Sequence, residues 1–149
     1  MGNTQQTRQG YEYQDLIALG EILNFYETAI TDNTNRNIQY VEIDSLDKSL
    51  NSLDDIVVKY TNGEKLLIQS KYAATRKRQF VNWRFLLEKS SNLGKSNIEK
   101  WKIAVCQLLD SKCQFKACLR SNRIIDPDFL ELIEDNKVLW NRVPPQQKK

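Results

Sequence analysis

Asp55-Ile56-Val57-Val58-Lys59-Tyr60, the turn Thr61-Asn62-Gly63-Glu64, and Lys65-Leu66-Leu67-Ile68-Gln69-Ser70-Lys71 decide the fold of this chain. Asn-Gly between two β-rich segments is a strong short-range hairpin signal. Both flanks are nearly continuous in Val, Ile and Leu, the pattern of strands covered on both faces by helices. The hairpin strands are expected at about residues 55–60 and 65–72. Side chains alternate along a strand, so Gln69 and Lys71 share one face and Ser70 takes the other. A hairpin with Asp55 opening one strand and Gln69 and Lys71 closing the next brings a carboxylate, an amide and an ammonium to one end. That trio is suited to holding a divalent metal and steadying a phosphate. The competing reading is an edge strand whose polar face is solvated. A Gln and Lys in the middle of a sheet would be costly without partners.

Outward from the hairpin, Tyr13, Leu16, Ile17, Gly20, Leu23 and Ile30 fall near one helical stripe, predicting a helix from about Gly10 to Ile30. Residues 1–9 are polar and read as a flexible N-terminus. Ile38–Ile43 reads as a strand, and 44–54 as a polar connection. After the hairpin come a basic loop, a helix near Phe80–Ser90 and another from Asn97, with Trp101, Val105, Leu108 and Leu109 inward. Gln114–Leu119 reads as a strand. Asp126-Pro127 caps a last helix packed through Phe129, Leu130 and Ile133. The body is expected to be one domain over residues 10–143. The tail from Pro144 to Lys149 reads as a linker or the cut end of a longer chain. The order α-β-β-β-α-α-β-α predicts an α/β sandwich with a mixed sheet flanked by helices.

Composition limits the chemistry. The 149 residues suffice for one domain with a real core. The chain contains no histidine. That removes Ser-His-Asp and Cys-His nucleophilic mechanisms, histidine bases and imidazole zinc sites. It has neither a Walker A loop nor Gly-x-Gly-x-x-Gly. Catalysis must then run on carboxylates, amides, lysines and a hard, oxygen-seeking ion such as magnesium or manganese. Cys106, Cys113 and Cys118 lack zinc-ligand spacing and read as reduced thiols of a cytoplasmic protein, with Cys106 and Cys118 in the core. No stretch is long enough to span a bilayer, and the start lacks the pattern of a signal peptide. Net charge is only +3, but Arg76-Lys77-Arg78 follows Lys71 closely. The cluster is well placed to meet a phosphate backbone, or is a solvated basic loop.

A helix, a strand, a hairpin with Asp on one strand and Gln-x-Lys on the next, then a helix and a strand resembles the core of the PD-(D/E)xK nuclease superfamily. Asp55 and Gln69 are fourteen residues apart, comfortable for a hairpin. Gly10-Tyr11-Glu12-Tyr13-Gln14 opening the first helix, with the Gln-x-Lys variant, is similar to double-stranded-DNA nuclease domains of bacterial anti-phage effectors. These include cyclic-oligonucleotide signalling nucleases and Mrr-like restriction enzymes. The resemblance covers roughly Gly10 to Arg123 and implies a restriction-endonuclease-like α-β-β-β-α-β core.

It implies a metal-dependent endodeoxyribonuclease using Mg2+ or Mn2+, with Asp55 and Gln69 as metal ligands and Lys71 as the family lysine. Gln14 would touch the metal site or its water. Glu42 would add a carboxylate or would simply face solvent, and Asp54 competes with Asp55. The family's proline before the aspartate is absent, and Gln69 offers only a neutral carbonyl oxygen. Arg76, Lys77, Arg78, Arg120 and Arg123 would bind the DNA backbone. The implied partners are double-stranded DNA, sensing or oligomerisation domains of a longer chain, and further copies in an active homo-oligomer; no membrane is involved. The alternatives are an inactive nuclease-fold module that binds DNA and a protein-interaction domain.

Overall fold

The computed structural model describes residues 2–32, 37–47, 50, 53–74, 80–89, 94–131, 133–134 and 137–138. The architecture is mixed α/β, with a four-stranded mixed sheet between helices. Its centre is the hairpin of β2 (Ile56–Tyr60) and β3 (Lys65–Lys71), which pair antiparallel with Ile56 opposite Ile68. The turn holds Gly63 at φ 88°, a conformation that glycine reaches without a Cβ clash. Strand β1 (Ile38–Ile43) pairs antiparallel with β2. β5 (Phe115–Ser121) pairs parallel with β3, placing Leu119 beside Gln69 and Ser121 beside Lys71.

The sheet order is β1-β2-β3-β5, so β3 is interior and the solvated-edge reading does not hold. Its faces carry separate cores, as strand alternation requires. On one face α1 (Gly2–Asp32) lays Ala18, with Ile17 and Phe25, against Ile56, Val58, Tyr60 and Ile68. On the other, α3 (Asn97–Asp110) sets Ala104 and Leu108 against Leu50, Leu53, Val57 and Leu67. Leu67 and Ile68 are wholly buried, each contributing about 1.5–3 kcal/mol through removal of apolar surface from water. Ser96 caps α3 in a reciprocal box with Glu99, satisfying donors the helix leaves open.

A smaller layer holds β4 (Phe80–Val81), α2 (Trp83–Leu87), β6 (Ile124–Ile125) and α4 (Pro127–Leu130). β4 pairs parallel with β6, while Val81, Leu86 and Phe129 form its core with Trp83 edge-on to Phe129. β7 (Ile133–Glu134) and β8 (Lys137–Val138) pair antiparallel. Among the described residues no helix is long and apolar enough to cross a membrane.

Several expectations are corrected. α1 begins at Gly2, taking in the segment expected to be flexible. No proline interrupts residues 2–9, and Arg8 pairs with Glu12 at 2.9 Å one turn on. Leu16 and Leu23, expected on the packed stripe, are exposed. Phe80 and Val81 are strand, not helix, and α4 ends at Leu130, leaving Ile133 in β7. Cys106 is exposed because Ala104 and Leu108 turn inward on α3. Leu109 is exposed on the same helix.

Candidate active site

The site begins where β1 and β2 meet. Asp44 has φ 51°, a left-handed conformation that Asp tolerates better than most residues. Its N–H donates to the Asp55 carbonyl at 2.9 Å, and the Ser45 N–H donates to the Asp54 carbonyl at 2.9 Å. These bonds extend the pairing past Ile43 and fix the backbone of Asp55 at the mouth of β2. The β2–β3 register then sets Asp55 across from Gln69.

Asp55, Gln69 and Lys71 come together here. Asp55 Oδ2 accepts from Gln69 Nε2 and, at 2.7 Å, from the Ser70 N–H; Lys71 Nζ lies 3.9 Å from the same oxygen. Of the adjacent pair Asp54-Asp55, it is Asp55 whose carboxylate meets this group. Burial pushes the Asp55 carboxyl above its ordinary range; the Lys71 ammonium and Ser70 N–H oppose that rise, and Asp54 and Asp44 reinforce it. Asp44 is thus part of the electrostatics of the site, although the sequence places it in a polar connection. Its signal is positional, directly after a strand paired with the strand that Asp55 opens.

Gln69 is 2 % exposed, and its Oε1 is buried without a hydrogen-bond partner. A buried amide oxygen left unsatisfied costs free energy, so its surroundings carry information. Gln69 lines a cavity of about 160 Å³ with Leu53, Trp101 and Leu119 among its walls. Turning the carbonyl oxygen toward Asp55 would set two acceptors against each other unless a cation stood between them. A divalent ion held between Asp55 and the turned Gln69 oxygen would remove that repulsion, and hard oxygen donors suit magnesium or manganese. Among the described residues no three Asp, Glu, Cys or His side chains form a group able to hold a metal. Among the described residues, the donors that would face such an ion at this position are one carboxylate and one neutral amide.

Glu42 pairs with Val57 across β1 and β2, on the sheet face that Gln69 and Lys71 share, and its carboxylate accepts from Ser45 Oγ at 2.9 Å. Gln14 sits on the α1 side of β3, in a cavity of about 140 Å³ lined also by Thr7, Gly10, Tyr11, Ser70 and Tyr72. Strand parity puts that side opposite Gln69 and Lys71. Gln14 Oε1 is buried without a hydrogen-bond partner, and the neighbouring Tyr13 ring lies 5.6 Å from the Tyr72 ring, tilted 46° to it. The Tyr11-to-Gln14 segment thus meets the end of β3 from behind.

Arg120 donates to Glu21 on α1 at 2.7 Å, a contact that raises the guanidinium's already high pKa. The Arg123 guanidinium covers the Phe85 ring at 4.6 Å. Arg76, Lys77 and Arg78 lie outside the described residues. The chain leading to them is pinned: Asn122 accepts from the Ala73 N–H at 2.8 Å and donates to its carbonyl at 3.1 Å. Ser121 Oγ donates to the Lys71 carbonyl at 2.5 Å. In sequence these two residues mark only a strand end; a polar pair beside the last residue of a parallel neighbour is the signal. Compared with known proteins, the chain matches no family model, no curated protein and no solved structure.

Proposed function

We propose that this chain is a metal-dependent endodeoxyribonuclease domain that hydrolyses phosphodiesters of double-stranded DNA, the effector part of a bacterial anti-phage defence protein. The observation that carries the reading is the convergence of Asp55, Gln69 and Lys71 at one end of the central hairpin, with a buried Gln69 oxygen lacking a hydrogen-bond partner. The resemblance of Asp55 and Gln69-Ser70-Lys71 on a hairpin to the PD-(D/E)xK superfamily adds support, and a mixed four-stranded sheet flanked by helices is compatible with its α-β-β-β-α-β core. The absence of histidine leaves hydrolysis to carboxylate, amide and lysine.

Asp55 supplies the one formal negative charge toward the ion, and Gln69 adds a neutral oxygen. A bound Mg2+ or Mn2+ would polarise a phosphoryl oxygen and lower the pKa of a coordinated water. Lys71 holds a positive charge beside Asp55, placed to orient the attacking water or to neutralise charge developing on the phosphate. With so few protein ligands the DNA phosphate would complete the site, and metal affinity would be weak until substrate binds. Asp54 and Asp44 strengthen the local negative field.

A second reading has an observation of its own. Asp55 Oδ2 is already engaged by Gln69, Ser70 and Lys71, as in a nuclease fold that binds DNA without cutting it. Incubating the protein with plasmid and Mg2+ or Mn2+, beside Asp55→Ala and Lys71→Ala, separates the two. Nicking lost in EDTA and in both folded variants supports catalysis. Salt-sensitive DNA retention without nicking supports the second reading. Full activity in EDTA or in Lys71→Ala overturns the mechanism.

A further inference from the structure

Helix α1 is apolar on two opposite faces. Its inner face, through Ala18, Ile17 and Phe25, covers the sheet. On the outer face Leu16, Leu19, Leu23 and Tyr26 are each between 52 and 67 % exposed. At 3.6 residues per turn these four fall together, almost diametrically across from the mean direction of the inner three. Their spacing of three, four and three is that of a coiled-coil seam. A surface helix normally turns one apolar stripe inward and a polar face to water. Here the outer face is a second stripe, and no described residue buries it.

Gly20 sharpens the point. Glycine weakens a helix interior and is kept there when something needs the space. A Cβ built on Gly20 meets no described residue within 4 Å. Packing among the described residues therefore does not call for a glycine there. The residue leaves a notch beside Leu16 and Leu23, one turn away on either side, where an approaching helix can come close.

We propose that the outer face of α1 is the contact between two copies of this chain, α1 against α1 across a twofold axis. Area supports a second copy as the occupant. The four side chains present on the order of 500 Å² of apolar surface, as large as the biggest patch on a typical monomer. Two such faces together reach about 1,000 Å², the threshold for a specific interface, before polar flanks are added. A twofold contact needs only one self-complementary patch, and a heptad stripe is such a patch. Asp55, Gln69 and Lys71 take no part in it, so the contact stands whether or not the chain cleaves DNA.

The test is sedimentation equilibrium across the micromolar range on wild type, Leu16→Lys/Leu23→Lys and Gly20→Gln, with circular dichroism to verify helix content. The expected result is a wild-type dimer with dissociation weakened about a hundredfold or more in the double variant, as for loss of interface anchors. Gly20→Gln fills the notch without adding charge and should also give monomer, which covers the case that the lysines disturb folding. A monomeric wild type overturns the proposal and assigns the face to another segment or a different protein. A dimer that survives both substitutions overturns it too.

Discussion

Lys71 Nζ stands 3.9 Å from Asp55 Oδ2, yet burial outweighs this ammonium and leaves the carboxyl above its ordinary range. The ion pair softens the cost of burying the carboxylate without cancelling it. A carboxylate held in an unfavourable charge state binds a cation with added advantage, because the ion relieves what burial imposes. A cation bound beside Asp55 would therefore offset part of the cost of burying it.

The first prediction concerns pH. Asp55 titrates above its unfolded-state value, so the unfolded chain releases this proton first. Its contribution to stability is fully present below the unfolded pKa and is lost as pH rises through the folded pKa. Asp55→Asn removes the titration while keeping an oxygen that can accept from Ser70. At neutral pH the variant should be at least as stable as wild type, with its relative advantage shrinking as pH falls through the folded-state pKa. Thermal melts from acid to neutral pH measure this. A variant clearly less stable than wild type at neutral pH would show that hydrogen bonds, not burial, dominate at Asp55.

Gln69→Glu gives the second prediction. It replaces the donor facing Asp55 with a second carboxyl at a position 2 % exposed. Two close carboxylates cannot both ionise cheaply, so one retains its proton. Without metal the variant should lose roughly 1–3 kcal/mol, the range for a buried polar group stripped of its partner. With Mn2+ it gains a formal ligand charge, and binding should tighten about tenfold, equivalent to ~1.4 kcal/mol. Melts and calorimetry with and without Mn2+ read both effects. A destabilised variant with no gain in Mn2+ affinity would remove Gln69 from the metal site.

Much of this arrangement is legible in the residues. Asn62-Gly63 between apolar runs fixes the hairpin turn, and strand parity puts Gln69 and Lys71 on one face. What stays hidden depends on partners distant in sequence. β4, β6, β7 and β8 are two residues each, too short for a period-2 pattern, and their pairing comes from tertiary contact. The stripe on α1 is ambiguous because apolar residues occupy both of its faces, and periodicity alone does not say which one meets the sheet. The superfamily resemblance implies the metal group as the neighbour of Gln14 in α1. Ala18 against Ile56 and Ile68 puts that helix on the Ser70 side instead.

The last prediction concerns the DNA backbone. Arg76, Lys77 and Arg78 follow Lys71 within seven residues, and the chain leaving β3 is clamped by Asn122 on Ala73. Where such charges meet phosphates, each neutralised phosphate releases condensed counterions. Arg76→Ala/Lys77→Ala/Arg78→Ala should then reduce the salt slope of log K by roughly 0.9 for every phosphate no longer neutralised. The loss of affinity should be similar for unrelated DNA sequences, because the backbone carries no base identity. Arg120→Ala provides the contrast. Its guanidinium is paired with Glu21 at 2.7 Å, so its removal should leave the slope nearly unchanged. Fluorescence anisotropy across a salt series on wild type and both variants decides between the two groups. An unchanged slope in the triple variant would show that the basic segment is solvated and does not touch DNA. A slope reduced in Arg120→Ala alone would move the DNA track to the edge formed by β5 and α1.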